Sequence, residues 1–252
     1  MNEKILHYLR QVESENNIKI LLACETGSRA WGFPSPDSDY DVRFIYKHDV
    51  NWYLSLNERK DSIERMFESN ELDLSGWDLR KSLNLLRKSN PPLLERIQSP
   101  IIYISDIDFL SGMKELAYSN YSKIATMHHY LNMSKKMYSE INDKKIVKLK
   151  KLFYGLRTAS ACKWIEEKEE MPPIVFQAML EQLDISNQIK EQIFELIELK
   201  ATKNEDYLHN QEMEINNFIE NCIHRAEKVA NSLPASKGNL VKLNSFFISQ
   251  IK

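Results

Sequence analysis

The sequence has little cysteine, no long apolar run and almost no net charge. Its three cysteines, Cys24, Cys162 and Cys222, lie far apart, so they match neither a disulfide framework nor a zinc-binding spacing. We expect them to be small buried residues of a protein in the reduced cytoplasm. No apolar stretch approaches the roughly 20 residues of a membrane-spanning helix, and charges interrupt the N-terminal segment, which favours an amphipathic helix over a signal peptide. A net charge of −2 gives no support to bulk nucleic-acid binding.

The charges that are present are unevenly distributed. Residues 116–164 contain 10 Lys and Arg against 2 Asp and Glu, whereas residues 1–115 contain 15 against 19 and residues 165–252 contain 9 against 15. We therefore predict that the basic central segment faces an anionic substrate. A lysine-rich helix in water is the alternative.

Helix and strand patterns alternate over roughly the first 110 residues, with a less regular stretch from Lys47 to Asn70, and helical patterns dominate afterwards. The chain is long enough for two domains, and 42% of its residues are hydrophobic, which is enough for a core. We predict an α+β fold, with a mixed sheet and flanking helices in residues 1–115 and an all-helical domain in residues 116–252. The tail after Pro234 is expected to be loosely held, although Phe246–Ile248 could pack against the rest.

A glycine-serine turn follows the first apolar strand pattern. Gly27 and Gly32 have the spacing of a P-loop, but Phe33 and Pro34 stand where that motif needs Lys and Ser or Thr. These two residues argue against a P-loop ATPase. The turn can still bind phosphate through backbone N–H groups and the Ser28 hydroxyl; the alternative is that Gly27 only permits a tight turn.

Two aspartates eleven and thirteen residues after Ser28 form the strongest candidate for chemistry. Asp39 and Asp41 are two residues apart in a strand pattern, so they project to one face while the intervening apolar residues face the core. Paired carboxylates are ligands that suit Mg²⁺ bound with phosphates. Asp73, between two leucines, is the best third carboxylate, and Glu71 and Asp78 compete with it. With three carboxylates, two Mg²⁺ ions could support an in-line displacement at phosphorus.

A cationic stripe is predicted on a helix beginning at Lys145. Lys148, Lys151, Tyr154 and Arg157 follow at intervals of three, so they fall on a slowly drifting face. They could hold a triphosphate and stack on a base. An ordinary amphipathic helix with solvated lysines is the alternative.

These motifs together resemble a known superfamily. The run from Gly27-Ser28 to Asp39-x-Asp41, with the later Leu72-Asp73-Leu74, is similar to DNA polymerase β-type nucleotidyltransferases. Further short runs between residues 20 and 180 resemble the group assigned to an RNA-repair pathway. They include Ser38–Arg43, Leu74–Lys81, Asn90-Pro91, Ser99–Tyr103 and Tyr154-x-x-Arg157.

The resemblance implies a nucleotidyltransferase-fold catalytic domain in residues 1–115, followed by a helical domain in residues 116–252 that binds nucleotide or substrate. It implies an enzyme that uses Mg²⁺, with Mn²⁺ as a substitute, to transfer a nucleoside monophosphate from an NTP to a hydroxyl. ATP is the first NTP to try, and an RNA end is the first acceptor. A small-molecule or protein acceptor, and a non-catalytic nucleotide-binding sensor or antitoxin-like module, remain alternatives.

The resemblance also implies roles for individual residues. Asp39, Asp41 and Asp73 would be the catalytic and metal-binding carboxylates. The nucleotide would be bound by Gly27, Ser28, Arg29, Lys151, Tyr154 and Arg157. Arg29 could instead form a salt bridge with a neighbouring carboxylate.

Overall fold

The computed structural model describes residues 1–234 and 238–252. The first part of the chain alternates helices and strands, with a short 3₁₀ turn at Glu68–Asn70. Its elements are α1 (Asn2–Asn16), β1 (Lys19–Glu25), α2 (Gly27–Trp31), β2 (Tyr40–Lys47), α3 (Val50–Leu54), β3 (Ser62–Phe67), β4 (Leu72–Asp78), α4 (Leu79–Arg87), α5 (Pro91–Gln98), β5 (Ile102–Ser105) and α6 (Ile107–Asn120).

The rest of the chain is mainly helical. Its elements are α7 (Lys123–Ile141), β6 (Ile146–Lys148), α8 (Leu149–Lys168), α9 (Phe176–Gln182), α10 (Asn187–Thr202), β7 (Leu208–Asn210), α11 (Met213–Ala230) and α12 (Leu240–Ile251). Among the described residues, none of the helices combines the length and the apolar character needed to cross a bilayer.

The five-stranded sheet has the order β3-β4-β2-β1-β5. β2 and β4 are parallel, whereas β1 with β2, β1 with β5 and β3 with β4 are antiparallel. The predicted α+β class with a mixed sheet and flanking helices is therefore confirmed. Because β2 and β4 lie side by side and in parallel, residues at their N-terminal ends come together at one edge of the sheet.

The chain divides into two compact units. The first contains Met1–Ala30, Asp39–Tyr121 and the C-terminal segment Lys237–Lys252, of which residues 238–252 are described; the second contains Trp31–Ser38 and Ser122–Ser236, described as far as residue 234. The boundary predicted between residues 115 and 116 falls inside α6, because that amphipathic helix packs in the first unit. The assignment of catalysis to residues 1–115 and of nucleotide binding to 116–252 stays a prediction.

In the first unit, α1 covers one face of the sheet. Its apolar residues Ile5, Leu9 and Val12 are fully buried in one cluster with Val42 and other sheet residues. Burying side chains of this size stabilises the fold by about 1.5–3 kcal/mol each. In the alternating pattern of β2, Val42, Phe44 and Tyr46 face this core and Asp41 and Arg43 lie on the opposite face.

In the second unit, α8 is the central helix. Fourteen of its residues are buried, and Phe153, Leu156 and Ile165 pack in one core cluster with residues of the other helices. A three-residue antiparallel pair, β6 with β7, accompanies these helices. The unit predicted to be all-helical therefore also contains a small sheet.

Three local expectations differ from the structure. Lys145 does not begin a helix, because Ile146–Lys148 pair with β7 and α8 starts at Leu149. The stretch before residue 70, predicted to be irregular, contains β3. Part of the tail expected to be loosely held is the helix α12, whose Phe246 packs on Gly112 of α6; residues 235–237 of that tail lie outside the described residues.

Candidate active site

The parallel pairing of β2 and β4 places two predicted carboxylates side by side. Asp41 and Asp73 are register partners, and the pairs on either side, Tyr40 with Leu72 and Val42 with Leu74, keep the same alignment. Register partners on neighbouring strands point to the same face of the sheet and lie about 4.8 Å apart. The two acids therefore share one face of the sheet. Both side chains are partly exposed, Asp41 at 27% and Asp73 at 31%.

Arg43 joins these two carboxylates. Its Nη2 lies 2.6 Å from Asp41 Oδ1 and 2.8 Å from Asp73 Oδ2. Its Nη1 also donates to the backbone carbonyl of Asp73 at 3.2 Å. The guanidinium therefore supplies the positive charge that offsets the repulsion between the two acids.

Gly27 lies directly against Asp41. The glycine has φ +64°, a conformation that favours glycine, and a Cβ placed on it would lie 2.2 Å from Asp41 Oδ2. The preceding Thr26 is bonded to the same residue, because its N–H and hydroxyl donate to the Asp41 carbonyl at 2.9 and 3.1 Å. The glycine is thus needed for close approach of the carboxylate as well as for the turn.

Glu25 is a carboxylate of this site that the sequence reasoning missed. It is fully buried, accepts from the Asp41 N–H at 2.6 Å, and accepts from the Tyr103 hydroxyl at 2.5 Å. Burial raises the pKa of Glu25 to about 7, against the opposing effect of the Tyr103 and Asp41 hydrogen bonds. The one signal for it in the sequence is an acid at the end of the apolar run before Gly27.

The other predicted residues around the turn lie in the same unit. Asp39 is exposed and immediately precedes β2, and its backbone carbonyl accepts from Arg29 Nε at 3.1 Å. The Arg29 guanidinium lies 3.9 Å from the ring centroid of Tyr40, in a cation–π contact. Ser28 is half-buried in α2.

Two further acids were alternatives to Asp73. Asp78 is buried at the N-cap of α4, where it accepts from the Arg80 N–H at 2.8 Å and the Tyr53 hydroxyl at 2.7 Å. Glu71 is exposed, and the register pairs Asp41 with Asp73 rather than with Glu71. Position thus favours Asp73, and its catalytic role stays a prediction.

The predicted cationic stripe lies in the second unit and does not form one exposed face. Lys151 is exposed and pairs with Glu140 at 2.5 Å. Arg157 is only 3% exposed, and its guanidinium lies 4.4 Å from the ring centroid of Trp31. Tyr154 contacts Trp31 edge to face. Because α8 is central in its unit, a spacing of three carries successive residues from solvent into the core.

A cavity of about 350 Å³ opens beside the acidic pair. It is lined by Arg43, Glu64, Arg65, Met66, Asp73 and Ser75, all from β2, β3 and β4. Its volume suits a ligand the size of a nucleoside or sugar. The cavity therefore offers space next to Asp73 and to Arg43, which pairs with both carboxylates.

The donor set has the chemistry of a divalent-cation site. Carboxylate oxygens are hard ligands that suit Mg²⁺, Gly27 leaves space at Asp41 that a Cβ would fill, and the Arg43 guanidinium is already a cation between the two acids. In the present conformation, however, no three His, Cys, Asp or Glu side chains of residues 1–234 and 238–252 are grouped to hold an ion.

Almost the whole chain matches the model of one known protein family. Residues 1–249 match the RNA repair pathway DNA polymerase beta family. The chain belongs to this family. Its membership supports a nucleotidyltransferase-like protein of the polymerase beta type, as the motifs of the first 80 residues predicted.

Two bacterial proteins are similar to this chain. The chain is 38% identical over 253 residues to the uncharacterized protein YcgL of Bacillus subtilis strain 168, an alignment that covers 100% of this chain and 97% of YcgL. A crystal structure of a nucleotidyltransferase-like protein from Exiguobacterium sibiricum 255-15 aligns with 98% of this chain and 79% of its own, at 13% identity and a TM-score of 0.29.

Proposed function

We propose that this protein transfers a nucleoside monophosphate from an NTP, with ATP as the first to test, to a hydroxyl acceptor in the cytoplasm. The hydroxyl oxygen forms a bond to the α-phosphorus, the bond from that phosphorus to the β-phosphate oxygen breaks, and pyrophosphate and a proton are released. An RNA end is the first acceptor we propose, in keeping with the family to which the chain belongs.

One observation carries this proposal: the in-register pair of Asp41 and Asp73 beside the glycine turn. We propose that both, with Asp39, hold Mg²⁺, which would neutralise charge on the phosphates and the leaving pyrophosphate. Gly27 and Ser28 would hold phosphate oxygens. The 350 Å³ cavity next to Asp73 would receive the acceptor.

The residues of the second unit have weaker support. Lys151 is exposed and could exchange Glu140 for a phosphate, whereas Arg157 is buried against Trp31. We propose that Lys151 contacts the nucleotide and that Arg157 and Tyr154 act through packing. Replacing Lys151 by Met should then raise the KM for NTP with little change in stability, and replacing Arg157 by Met should destabilise the protein. An unchanged KM for the Lys151 variant would mean that this side chain does not contact the nucleotide.

The main test is label transfer from each α-labelled NTP, with Mg²⁺ or Mn²⁺, to RNA, DNA, aminoglycosides and proteins. The Asp41→Asn and Asp73→Asn variants should lose transfer by at least about a hundredfold, an effect of the size seen when a charge-stabilising group is removed. Asp108→Asn changes an exposed acid in the same unit and is the matched control. Transfer that persists in both site variants would refute the assignment.

The ion pairs of Arg43 favour a second candidate function, a nucleotide-binding sensor or antitoxin-like protein without turnover. In that case the guanidinium would stay on the two acids when nucleotide binds. Tight NTP binding with no label transfer to any acceptor would support this candidate over the enzyme.

A further inference from the structure

Arg43 occupies the position between the two carboxylates that the proposed chemistry assigns to a cation. A single nitrogen, Nη2, is within 2.8 Å of an oxygen from each acid. An ion bridging the same two oxygens would need the same space. Guanidinium and divalent ion therefore cannot both bind this pair in the arrangement seen.

These contacts are stronger than an ordinary surface ion pair. Arg43 is only 18% exposed, and its Nη1 adds a third bond, to the Asp73 carbonyl. Hydrogen bonds between charged partners are about twice as strong as neutral ones. Arg43 and Asp41 are also two residues apart on β2, so the strand itself keeps the Arg43 side chain next to Asp41.

We propose that Arg43 is a built-in competitor for the divalent cation at Asp41 and Asp73. In the ion-free protein its guanidinium keeps the two acids together, and it leaves them when the cation binds. The 350 Å³ cavity, which Arg43 itself lines, gives the side chain room to move. This inference rests on the proposed function, because it concerns the ion that the function requires.

The test is a titration of the full chain with Mn²⁺, in which electron paramagnetic resonance measures the concentration of the free ion. Replacing Arg43 by Met keeps an unbranched apolar side chain and removes the charged guanidinium, so Mn²⁺ affinity should rise by about tenfold or more. Arg65→Met is the matched control: Arg65 lines the same cavity but its Nη1 bonds to a backbone carbonyl of its own strand. Its affinity should stay within about twofold of the wild type.

A second readout guards against a variant that folds poorly. In EDTA, Arg43→Met should have a lower Tm than the wild type, because the acids then repel each other, and Mn²⁺ should raise its Tm by more than it raises that of the wild type. Arg43→Lys keeps a charge without the planar fork, so its Mn²⁺ affinity should lie above that of the wild type. Equal or weaker Mn²⁺ affinity in both Arg43 variants would overturn the inference.

The same measurement on Asp41→Asn and Asp73→Asn separates this inference from the proposed function. Loss of Mn²⁺ binding in these two variants, with no gain in the Arg43 variants, would reject the competitor and keep the metal site. Unchanged Mn²⁺ binding in the aspartate variants would reject the metal site itself.

Discussion

Replacing Glu25 by Gln should change the pH dependence of stability. The free energy of unfolding of the variant, compared with that of the wild type, should be more favourable at pH 8 than at pH 5. Glu25 is fully buried, and burial raises its pKa from 4.5 to about 7. The folded state therefore prefers the protonated carboxyl. Below pH 4.5 both states are protonated and nothing is lost. As pH rises from about 4.5 to about 7, the unfolded chain releases this proton while the folded state keeps it, so the folded state loses stability. Above about pH 7 both states are ionised and the loss is complete.

The magnitude follows from the two pKa values. Between pH 5 and pH 8 the wild type should lose roughly 2.5 kcal/mol that the neutral amide does not lose, because one pKa unit corresponds to about 1.36 kcal/mol. The amide of Gln can still accept from the Asp41 N–H, and its NH₂ group can donate to the Tyr103 hydroxyl. The hydrogen bonds seen at Glu25 therefore have counterparts in the variant.

Urea denaturation followed by circular dichroism at pH 5 and pH 8, in EDTA, measures the effect. Glu68→Gln is the control with the opposite sign: bonds from Lys4 and Tyr8 lower the pKa of Glu68. Its contribution is complete above pH 4.5, so the Glu68 variant should differ from the wild type by the same amount at pH 5 and pH 8. A pH-independent difference for the Glu25 variant would refute the reasoning.

The remaining predictions concern close contacts in the first unit. Gly27→Ala would put a Cβ 2.2 Å from Asp41 Oδ2, so it should cost about 1–3 kcal/mol and abolish label transfer; wild-type behaviour in both assays would count against the contact. In Gly112→Ala the new Cβ would lie 2.3 Å from the Phe246 ring, so the Tm should fall. This loss should be smaller when Phe246 is also changed to Ala. Additive losses would argue against the packing of α12 on α6 at this point. Asp78→Ala removes the cap of α4 and should cost about 1–2 kcal/mol in urea denaturation, most of it restored by Asn; equal losses for Ala and Asn would exclude capping as the cause.

The direction of side chains along β2 could be predicted from the sequence because the pattern is local. Asp41 and Arg43 alternate with the buried Val42 and Phe44, and a period of two is enough to place Asp41 and Arg43 on one face. The periodicity of one strand does not predict which other strand pairs with it. The register that sets Asp73 beside Asp41 is a contact between residues 32 positions apart, and it depends on how the whole sheet assembles.

Two arginines have environments that sequence spacing does not predict. Arg43 belongs to the same motif as Asp41, but its contact with both carboxylates depends on the pairing of β2 with β4. Arg157 matched the spacing of a stripe, yet it is buried because α8 packs on several sides. Helical spacing gives the relative directions of side chains and not which direction faces solvent.

Two different effects reduce the negative charge around Asp41. Glu25 accepts from the Asp41 N–H, so its ionised form would add a negative charge near the carboxylate of Asp41, which Arg43 joins to Asp73. A proton neutralises Glu25 up to about pH 7, and Arg43 offsets the other two acids. With Arg43 in place, Asp41, Asp73 and the guanidinium together carry a net charge near −1, which weakens the binding of a divalent ion that we propose for them. Because Mg²⁺ is usually bound by one or two carboxylates together with phosphates, this charge balance favours an ion that arrives with the nucleotide.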